Sequence, residues 1–433
     1  MRFEPRRLPS AALLAATLTC VPAVAAERES WSDAVSLHGF AAGTAAYTYS
    51  DPTHWSRGVM RLQLSAEGKL GASKWKIGGR ADYDPVIGNS GFYLDRAKDD
   101  QRTDFFWRET YLDFSAGDWE FRLGAQNIVW GEVVGLFFAD VVSAFDMREY
   151  FLPSFDIMRL PQWAARAEYF FGDSKLELVW IPVPTFDNIG KPGSDFYPAP
   201  LPSPTPQAVA DQFRDPTEPD RSLSNSNYGV RFGTLVGGWD LAAFYYRAYA
   251  TSPTFFRTAG GVYEPQYDRI WQVGGTMSKD LGSFVLRAEA VYANGRYFAS
   301  TDPTAPRGAV QRDTLDWIVS AEMPFESIDG RVNAQVFQRH YFSGGRDTVA
   351  LDTGSFGASL LVSAKVTSSI EPSLQWFQGF GGGGAMIRPR VNWYAARNLV
   401  VGVGADIFTG DEDGFFGRYD NRDRGYLEVR YDF

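Results

Sequence analysis

The sequence predicts an all-β protein whose antiparallel strands, about 18 in number with 16 as the alternative, close into a transmembrane barrel. Three observations support this prediction. Segments of about 9–12 residues recur in which apolar and polar side chains alternate. The connections between them alternate between tight turns and long loops. The chain ends in YLEVRYDF, in which an apolar face opposes a charged one and the last residue is aromatic.

The N-terminus has the layout of a secretory signal peptide. Three arginines precede an apolar run that ends near Val24, and small residues follow it. Residues 1–26 are therefore predicted to be a removed leader, and residues 27–433 to be the barrel. Cys20 is the only cysteine of the chain, so we expect no disulfide or thiolate site after processing. Export to the outer membrane of a Gram-negative cell is the destination that fits.

Alternation of side chains defines the strands from Val35 onward. Met60, Leu62 and Leu64 share one parity, and the polar residues between them share the other. Such a period of two places the two sets on opposite faces of a strand. Beyond the segments around residues 60–67 and 73–83, the predicted strands lie near 35–49, 103–115, 119–127, 162–171, 175–183, 226–236, 239–249, 269–279, 283–293, 312–324, 331–343, 354–365, 370–380, 385–395, 398–409 and 422–433.

Loop lengths separate the two ends of the predicted barrel. One set of connections is tight and rich in glycine, as in Ala116-Gly117-Asp118 and Gly237-Gly238. Short turns at the periplasmic end and long loops outside are typical of outer-membrane barrels, whereas a soluble β-sandwich would not sort its loops in this way. An even strand count also lets the final strand pair with the first. The long connections are 85–102, 128–161, 184–225, 250–268, 295–311 and 410–421.

Ionisable residues collect on the parity that would face the lumen. Charges facing lipid would cost about 2–4 kcal/mol each for Arg or Lys at mid-membrane, so an inward orientation is expected. Two interpretations stay open: pairs that brace the wall, or a charged conduit for a polar or anionic solute. The sequence suggests the pairs Glu120/Arg122, Arg166/Glu168 and Arg287/Glu289. Arg388 and Arg390 share one strand face without an acidic neighbour, which predicts a local anion-attracting patch.

Residues 127–161 form the most distinctive long connection. Val133, Val141 and Phe145 belong to an apolar set at helical spacing, and such a segment would be unfavourable in open solvent. We therefore expect this segment to fold into the barrel mouth as a constriction loop, whether to pack the lumen or to select the solute. Residues 184–225 are rich in proline and are expected to form an extended external cap. The candidate residues of the constriction and solute path are Trp130, Glu132, Asp140, Asp146, Arg148, Glu149 and Arg159, with Arg122, Arg166, Arg388 and Arg390 on the wall.

A family resemblance is carried by two runs, RLGAQNIVWGE and FADVVSAFDMREYFLPSFDIMRLPQWAARAEYFFGDSKLELVWIPVP. They resemble the signature of an uncharacterised proteobacterial outer-membrane family whose members are similar to alginate-export-type porins. That family includes a receptor-like protein implicated in siderophore uptake. The resemblance is strongest over about 104–190 and implies an outer-membrane protein that moves solutes, without naming the solute. The residues that match the family pattern are Trp130, Gly131, Glu132, Asp140, Arg148, Glu149 and Pro161.

Residue types for catalysis and metal binding are scarce. The chain has three histidines, none paired at ligand spacing, so we expect no metal, no cofactor and no enzyme. Nothing favours nucleic acid. The first functional hypothesis is a channel for a polar or amphipathic solute. The alternative is a receptor without a plug for a siderophore-like or hydrophobic ligand. The expected partners are outer-membrane lipid, the barrel assembly machinery acting on the strand that ends at Phe433, and a small solute, while a homo-oligomer stays open.

Overall fold

A closed antiparallel barrel of 18 strands forms the body of the protein. The computed structural model describes residues 35–133, 135, 138–199, 210–342, 349 and 356–433, so the predicted leader lies outside the described residues. The barrel strands are β1 (Val35–Thr48), β2 (His54–Leu70), β3 (Ser73–Tyr83), β4 (Thr103–Trp107 and Thr110–Ala116), β5 (Trp119–Gln126), β6 (Gln162–Phe171), β7 (Ser174–Val183), β8 (Asn227–Val236), β9 (Trp239–Tyr249), β10 (Arg269–Asp280), β11 (Val285–Ala299), β12 (Ala309–Phe325), β13 (Gly330–Phe342), β14 (Phe356–Ala364), β15 (Ile370–Gly379), β16 (Gly384–Ala396), β17 (Leu399–Thr409) and β18 (Arg424–Asp432).

The last strand closes the barrel. β18 pairs with β1 in register from Phe40↔Asp432 to Thr48↔Arg424. Beyond the strand end, Gly39 and Phe433 exchange two backbone hydrogen bonds of 2.9 Å each. The predicted role of YLEVRYDF as the closing strand, and the even strand count, are confirmed.

The two faces of the wall differ as the alternation predicts. On β2, Met60, Leu62 and Leu64 are 62%, 43% and 40% exposed on the outer face. Arg61 lies on the opposite face, where its guanidinium donates two hydrogen bonds of 2.8 Å to Asp82 of β3. We call this charged side the inner face. A barrel with an apolar outer band and a polar interior is typical of outer-membrane barrels.

Turns at one end are tight, and the longer connections lie at the other. Gly71, Gly117 and Gly172 adopt φ of 56° to 61°, a left-handed conformation that glycine takes without steric cost. The expected asymmetry of the loops is thus confirmed. The longer connections carry α1 (Pro85–Asn89), α2 (Asp95–Gln101), α3 (Phe155–Met158), the strand pair Ala144–Phe145 and Arg159–Leu160, the hairpin Thr254–Arg257 and Tyr263–Gln266, and 3₁₀ turns at Ala210–Gln212, Leu223–Asn225, Pro306–Gly308 and Gly417–Arg422; a further 3₁₀ turn, Glu326–Ile328, joins β12 to β13.

The helical spacing of apolar residues in the first half of the 127–161 connection indicates a helix, and this prediction is wrong over the described residues. The only helix described between β5 and β6 is α3, a single short turn at Phe155–Met158. The reason is visible in the hydrogen bonds: the backbone N–H groups of Glu132, Val133, Phe138 and Ala139 bind the Glu289 carboxylate. Donors used in this way are not available for helical bonds to carbonyl groups four residues earlier. None of the described helices is long and apolar enough to cross a membrane.

Candidate functional site

The connection at residues 127–161, here the long loop, packs against the inner face of strands around much of the wall. Three apolar clusters join it to the barrel. Residues 128, 130, 139 and 142 pack on β7, β9 and β11, Val133 between them packs on β12 and β13, and residues 150 and 152 pack on β16 and β17. The clusters are Ile128, Trp130, Ala139 and Val142 with Val179, Phe244, Tyr246 and Val291; Val133 with Ile318 and Phe337; and Tyr150 and Leu152 with Met386 and Phe408.

Trp130 anchors the beginning of the long loop. It is 1% exposed, and its indole N–H donates to Glu177 Oε1 of β7 at 3.1 Å. Its ring lies 5.1 Å from that of Phe244 and 5.6 Å from that of Tyr246. Gly229 of β8 makes room for it, because a Cβ there would lie 2.7 Å from the indole. A buried indole with its N–H satisfied is a rigid anchor.

Glu289 of β11 holds the next part of the long loop. Its side chain is buried, and each carboxylate oxygen accepts two backbone N–H groups from the loop. A carboxylate has about four acceptor positions, so its hydrogen-bonding capacity is filled. The donors are Glu132 at 2.6 Å and Val133 at 2.8 Å on Oε1, and Phe138 and Ala139 at 2.8 Å each on Oε2.

Asp146 and Arg148 form the charged centre of the loop. Arg148 donates two hydrogen bonds of 2.8 Å to Asp146, and its third nitrogen lies 2.8 Å from Asp104 of β4. The same guanidinium also donates to the backbone oxygen of Asp100 at 3.0 Å. Burial by itself raises the pKa of Asp146, but Arg148 outweighs it and holds that pKa at about 2. Both groups are therefore ionised at neutral pH.

Glu149 extends this network to the strands on either side of the place where β1 and β18 close the barrel. Its carboxylate lies 2.8 Å from Arg57 of β2 and accepts a 3.0 Å hydrogen bond from Arg424 of β18. Although burial raises the pKa of Glu149, Arg57 and Arg424 bring it below its usual value. Arg424 also donates to Asp406 of β17 at 2.9 Å. One loop carboxylate thus joins strands on both sides of the β1–β18 closure.

Two arginines of the wall bind the C-terminal end of α3. Arg80, whose side chain is fully buried, donates to the Ile157 carbonyl at 2.6 Å. Arg108 lies between the two parts of β4 and donates to the Arg159 carbonyl at 2.6 Å and the Asp156 carbonyl at 2.5 Å. Carbonyl groups at a helix end lack internal partners and carry partial negative charge, which cations stabilise.

Asp140 and Arg159 pair within the long loop. Arg159 donates to Asp140 Oδ2 at 3.1 Å, and the Ser143 hydroxyl donates to Oδ1 at 2.7 Å. Burial raises the pKa of Asp140 to about 6 in spite of Arg159. Glu132 reaches the wall instead, where Arg231 of β8 donates to it at 3.1 Å.

Predicted pairs on the wall are confirmed in one case and corrected in two. Arg166 lies 2.8 Å from Glu168, as predicted, and also donates to Glu177. Arg122 binds Asp113 of β4 rather than Glu120, and Arg287 binds Glu322 of β12 rather than Glu289. These partners lie on neighbouring strands, and the strand register that brings them together is not encoded in the alternation.

The predicted unpaired patch at Arg388 and Arg390 is wrong for the same reason. Arg388 donates to Asp406 Oδ1 of β17 at 2.7 Å and to the Leu152 carbonyl of the long loop at 2.7 Å. Arg390 donates to Glu428 of β18 at 2.7 Å. Each arginine therefore has an acidic partner, and Arg388 is a further anchor of the loop.

The proline-rich connection at 184–225 is packed over 184–199, which corrects the expectation of an extended cap for that part, whereas most residues of 210–225 are exposed. Asp187 is buried and accepts hydrogen bonds from the Phe145 N–H at 2.8 Å and from the Ser252 hydroxyl. Asp195 accepts from the Tyr93 hydroxyl at 2.6 Å. These bonds tie the connection to the long loop and to two other connections. The centre of the proline-rich run lies outside the described residues.

Several residues that hold the long loop could not be identified from the sequence. Arg57 and Arg108 carry no local signal, since each acts on a partner far away in the chain. Glu289 binds backbone groups, which every sequence possesses. Among the described residues, no group of three or more His, Cys, Asp or Glu side chains is placed to hold a metal ion.

Fold and site together define a closed 18-stranded antiparallel barrel with an apolar outer band, a charged inner face and a long loop bound to that face. Residues 30–433 match the family described as "Protein of unknown function (DUF1302)", and the chain belongs to that family. The resemblance noted in the sequence is thereby confirmed. None of the curated proteins matches the chain.

Solved structures share the fold at low identity. Pseudomonas aeruginosa OpdK with vanillate aligns with a TM-score of 0.52 at 10% identity, covering 93% of this chain and 98% of OpdK. Acinetobacter baumannii OccAB3 aligns with a TM-score of 0.53 at 10% identity, covering 92% of this chain and 99% of OccAB3. Similarity at this level shows the barrel fold alone.

Proposed function

We propose that the protein is an outer-membrane channel through which a small polar solute passes, in a lumen narrowed by the long loop. The observation that supports it is the set of contacts between the loop and the inner face of β2–β4, β7–β9, β11–β13 and β16–β18. A loop bound on so many sides occupies part of the cross-section. Solutes must then pass through the space left beside it.

Charge on the inner face supports selection by size and polarity over selection by sign. Arginines and carboxylates of neighbouring strands pair at close range, so little uncompensated charge is left to attract one sign of ion. Weak ion selectivity is the expected consequence. The pairs include Arg122 with Asp113, Arg166 with Glu177, Arg287 with Glu322, Arg339 with Asp316, and Arg390 with Glu428.

Location in the outer membrane belongs to the same proposal. The exposed apolar side chains of the outer face suit contact with lipid, and residues 1–26 would direct export. Phe433 is 47% exposed beside Tyr431 on the outer face of the closing strand. This end of the chain is where we propose that the barrel assembly machinery acts.

Planar-bilayer recording of the purified protein tests the channel. We expect discrete conductance steps and a reversal potential near zero in a salt gradient. A variant lacking residues 132–151 should give larger steps, provided that its heat-modifiable mobility on gels shows a folded barrel. No conductance in either protein would refute the channel. An uptake defect confined to iron limitation would instead favour the receptor for a siderophore-like ligand.

A further inference from the structure

We infer that Glu289 is a positioning residue that fixes the long loop in the lumen and thereby sets the size of solute that passes; this rests on the proposed channel function. In the sequence, Glu289 is one of many ionisable residues on the face of the strands that is predicted to line the lumen. Its contacts are different from those of its neighbours, because its carboxylate binds the loop backbone and no side chain of opposite charge.

The carboxylate holds two stretches of the long loop, residues 132–133 and 138–139, which we call its two limbs. Oε1 receives the N–H groups of Glu132 and Val133, and Oε2 receives those of Phe138 and Ala139, all at 2.6–2.8 Å. Glu289 itself is 3% exposed. Each oxygen thus secures one limb, and the spacing of the two oxygens fixes the distance between the limbs.

Backbone donors also compensate the charge of Glu289. Within the described part of the chain no cationic side chain lies within ion-pair distance of it, since Arg287 on the same strand pairs with Glu322 at 2.7 Å. Two acids of the loop, Glu132 and Asp140, repel it. A carboxylate kept in such surroundings depends on its four N–H donors.

The position of this anchor determines how far the loop reaches across the barrel. From the anchor on β11, Val133 extends to Ile318 of β12 and Phe337 of β13. At Gly135 a Cβ would lie 3.6 Å from the amide of Gln335, also on β13. The described residues of this part of the loop therefore lie against the inner face of three strands, and their release at Glu289 would free the lumen in front of those strands.

An isosteric substitution separates this role from simple packing. Glu289→Gln keeps the size of the side chain but presents an NH₂ group to one pair of N–H donors, so that limb loses its bonds. The matched control is Glu322→Gln, which removes a wall carboxylate that binds Arg287 and has no hydrogen bond to any described residue of the loop. Glu289→Asp keeps the charge but withdraws the carboxylate by one methylene, and should act in the same direction as Glu289→Gln.

Size exclusion by the channel is the first measurement. Single-channel conductance is recorded with polyethylene glycols of increasing size in the bathing solution. The Glu289→Gln channel should admit larger polymers than the wild type, whereas the Glu322→Gln channel should not. An unchanged exclusion limit in a folded Glu289→Gln or Glu289→Asp barrel would overturn the inference.

Thiol labelling is the second measurement and does not depend on conductance. With Cys20 as the only natural cysteine, a reporter thiol at Val133→Cys is unique after processing. Val133 is 4% exposed, so its thiol should react slowly, and about tenfold faster or more when Glu289→Gln is added. Faster labelling without any conductance would support the anchor and refute the channel; equal labelling rates would overturn the anchor itself.

Discussion

Replacing Arg148 by methionine should release the last part of the long loop. The side chain of Arg148 is 7% exposed and is surrounded by acceptors: both oxygens of Asp146, the carboxylate of Asp104 and the carbonyl of Asp100. Methionine fills a similar volume but donates nothing. Asp146 would lose both short bonds and keep the backbone N–H of residue 148 at 3.4 Å and the guanidinium of Arg80 at 3.5 Å, and Asp104 would lose its guanidinium.

The expected cost follows from leaving buried carboxylates without their partner. Breaking a buried ion pair from one side typically costs about 3–5 kcal/mol. At about 1.4 kcal/mol for each factor of ten, the population of the released loop should rise roughly 140- to 3700-fold. Adding Asp146→Asn should recover part of this loss, because one unpaired charge is then removed.

Limited proteolysis with chymotrypsin measures this population, since the loop contains Tyr150 and Phe151. The control is Arg122→Met, which breaks a similar two-bond pair with Asp113 on the wall, at 2.7 and 2.8 Å, away from the loop. We expect fast cleavage near residue 150 in Arg148→Met only. Equal cleavage rates in the two variants, or no recovery on adding Asp146→Asn, would refute the reasoning.

Three further predictions concern pH, packing and ion selectivity. Burial raises the pKa of Asp187 to about 6. The stability that the protonated carboxyl contributes is therefore fully present below pH 4 and is lost, by about 3 kcal/mol in total, as the pH rises through 6. Proteolysis of the loop should be slower at pH 5 than at pH 7, and Asp187→Asn should reduce that difference. Gly229→Ala should displace Trp130 and lower the thermal unfolding temperature. Gly233→Ala on the same strand should not, because the nearest atoms to a Cβ there lie at 3.9 Å, an ordinary contact distance. Arg390→Gln leaves a carboxylate of β18 without its partner, so the reversal potential should shift towards cation selectivity, and an unchanged potential would count against an inner-face location.

Much of the barrel could be predicted from the sequence. A membrane-spanning strand has one apolar and one polar face, and the period of two therefore identifies strands such as β2 directly. Glycine-containing turns and the lengths of the other connections then separate the two ends. The final strand is determined in the same way, because Leu427, Val429 and Tyr431 are exposed on one face while Glu428 lies on the other.

Only the tertiary structure decided how the charges pair and what the long loop does. Arg388 and Asp406 are 18 residues apart, and they meet because β16 and β17 adopt a particular register. Helical spacing in the loop was misleading, since its amide groups are bound by Glu289 instead of by helical carbonyls. The sequence determines which face of each strand is polar, because that depends on local alternation. It does not determine which group a buried charge meets, because that depends on strand register and on backbone donors brought from distant parts of the chain.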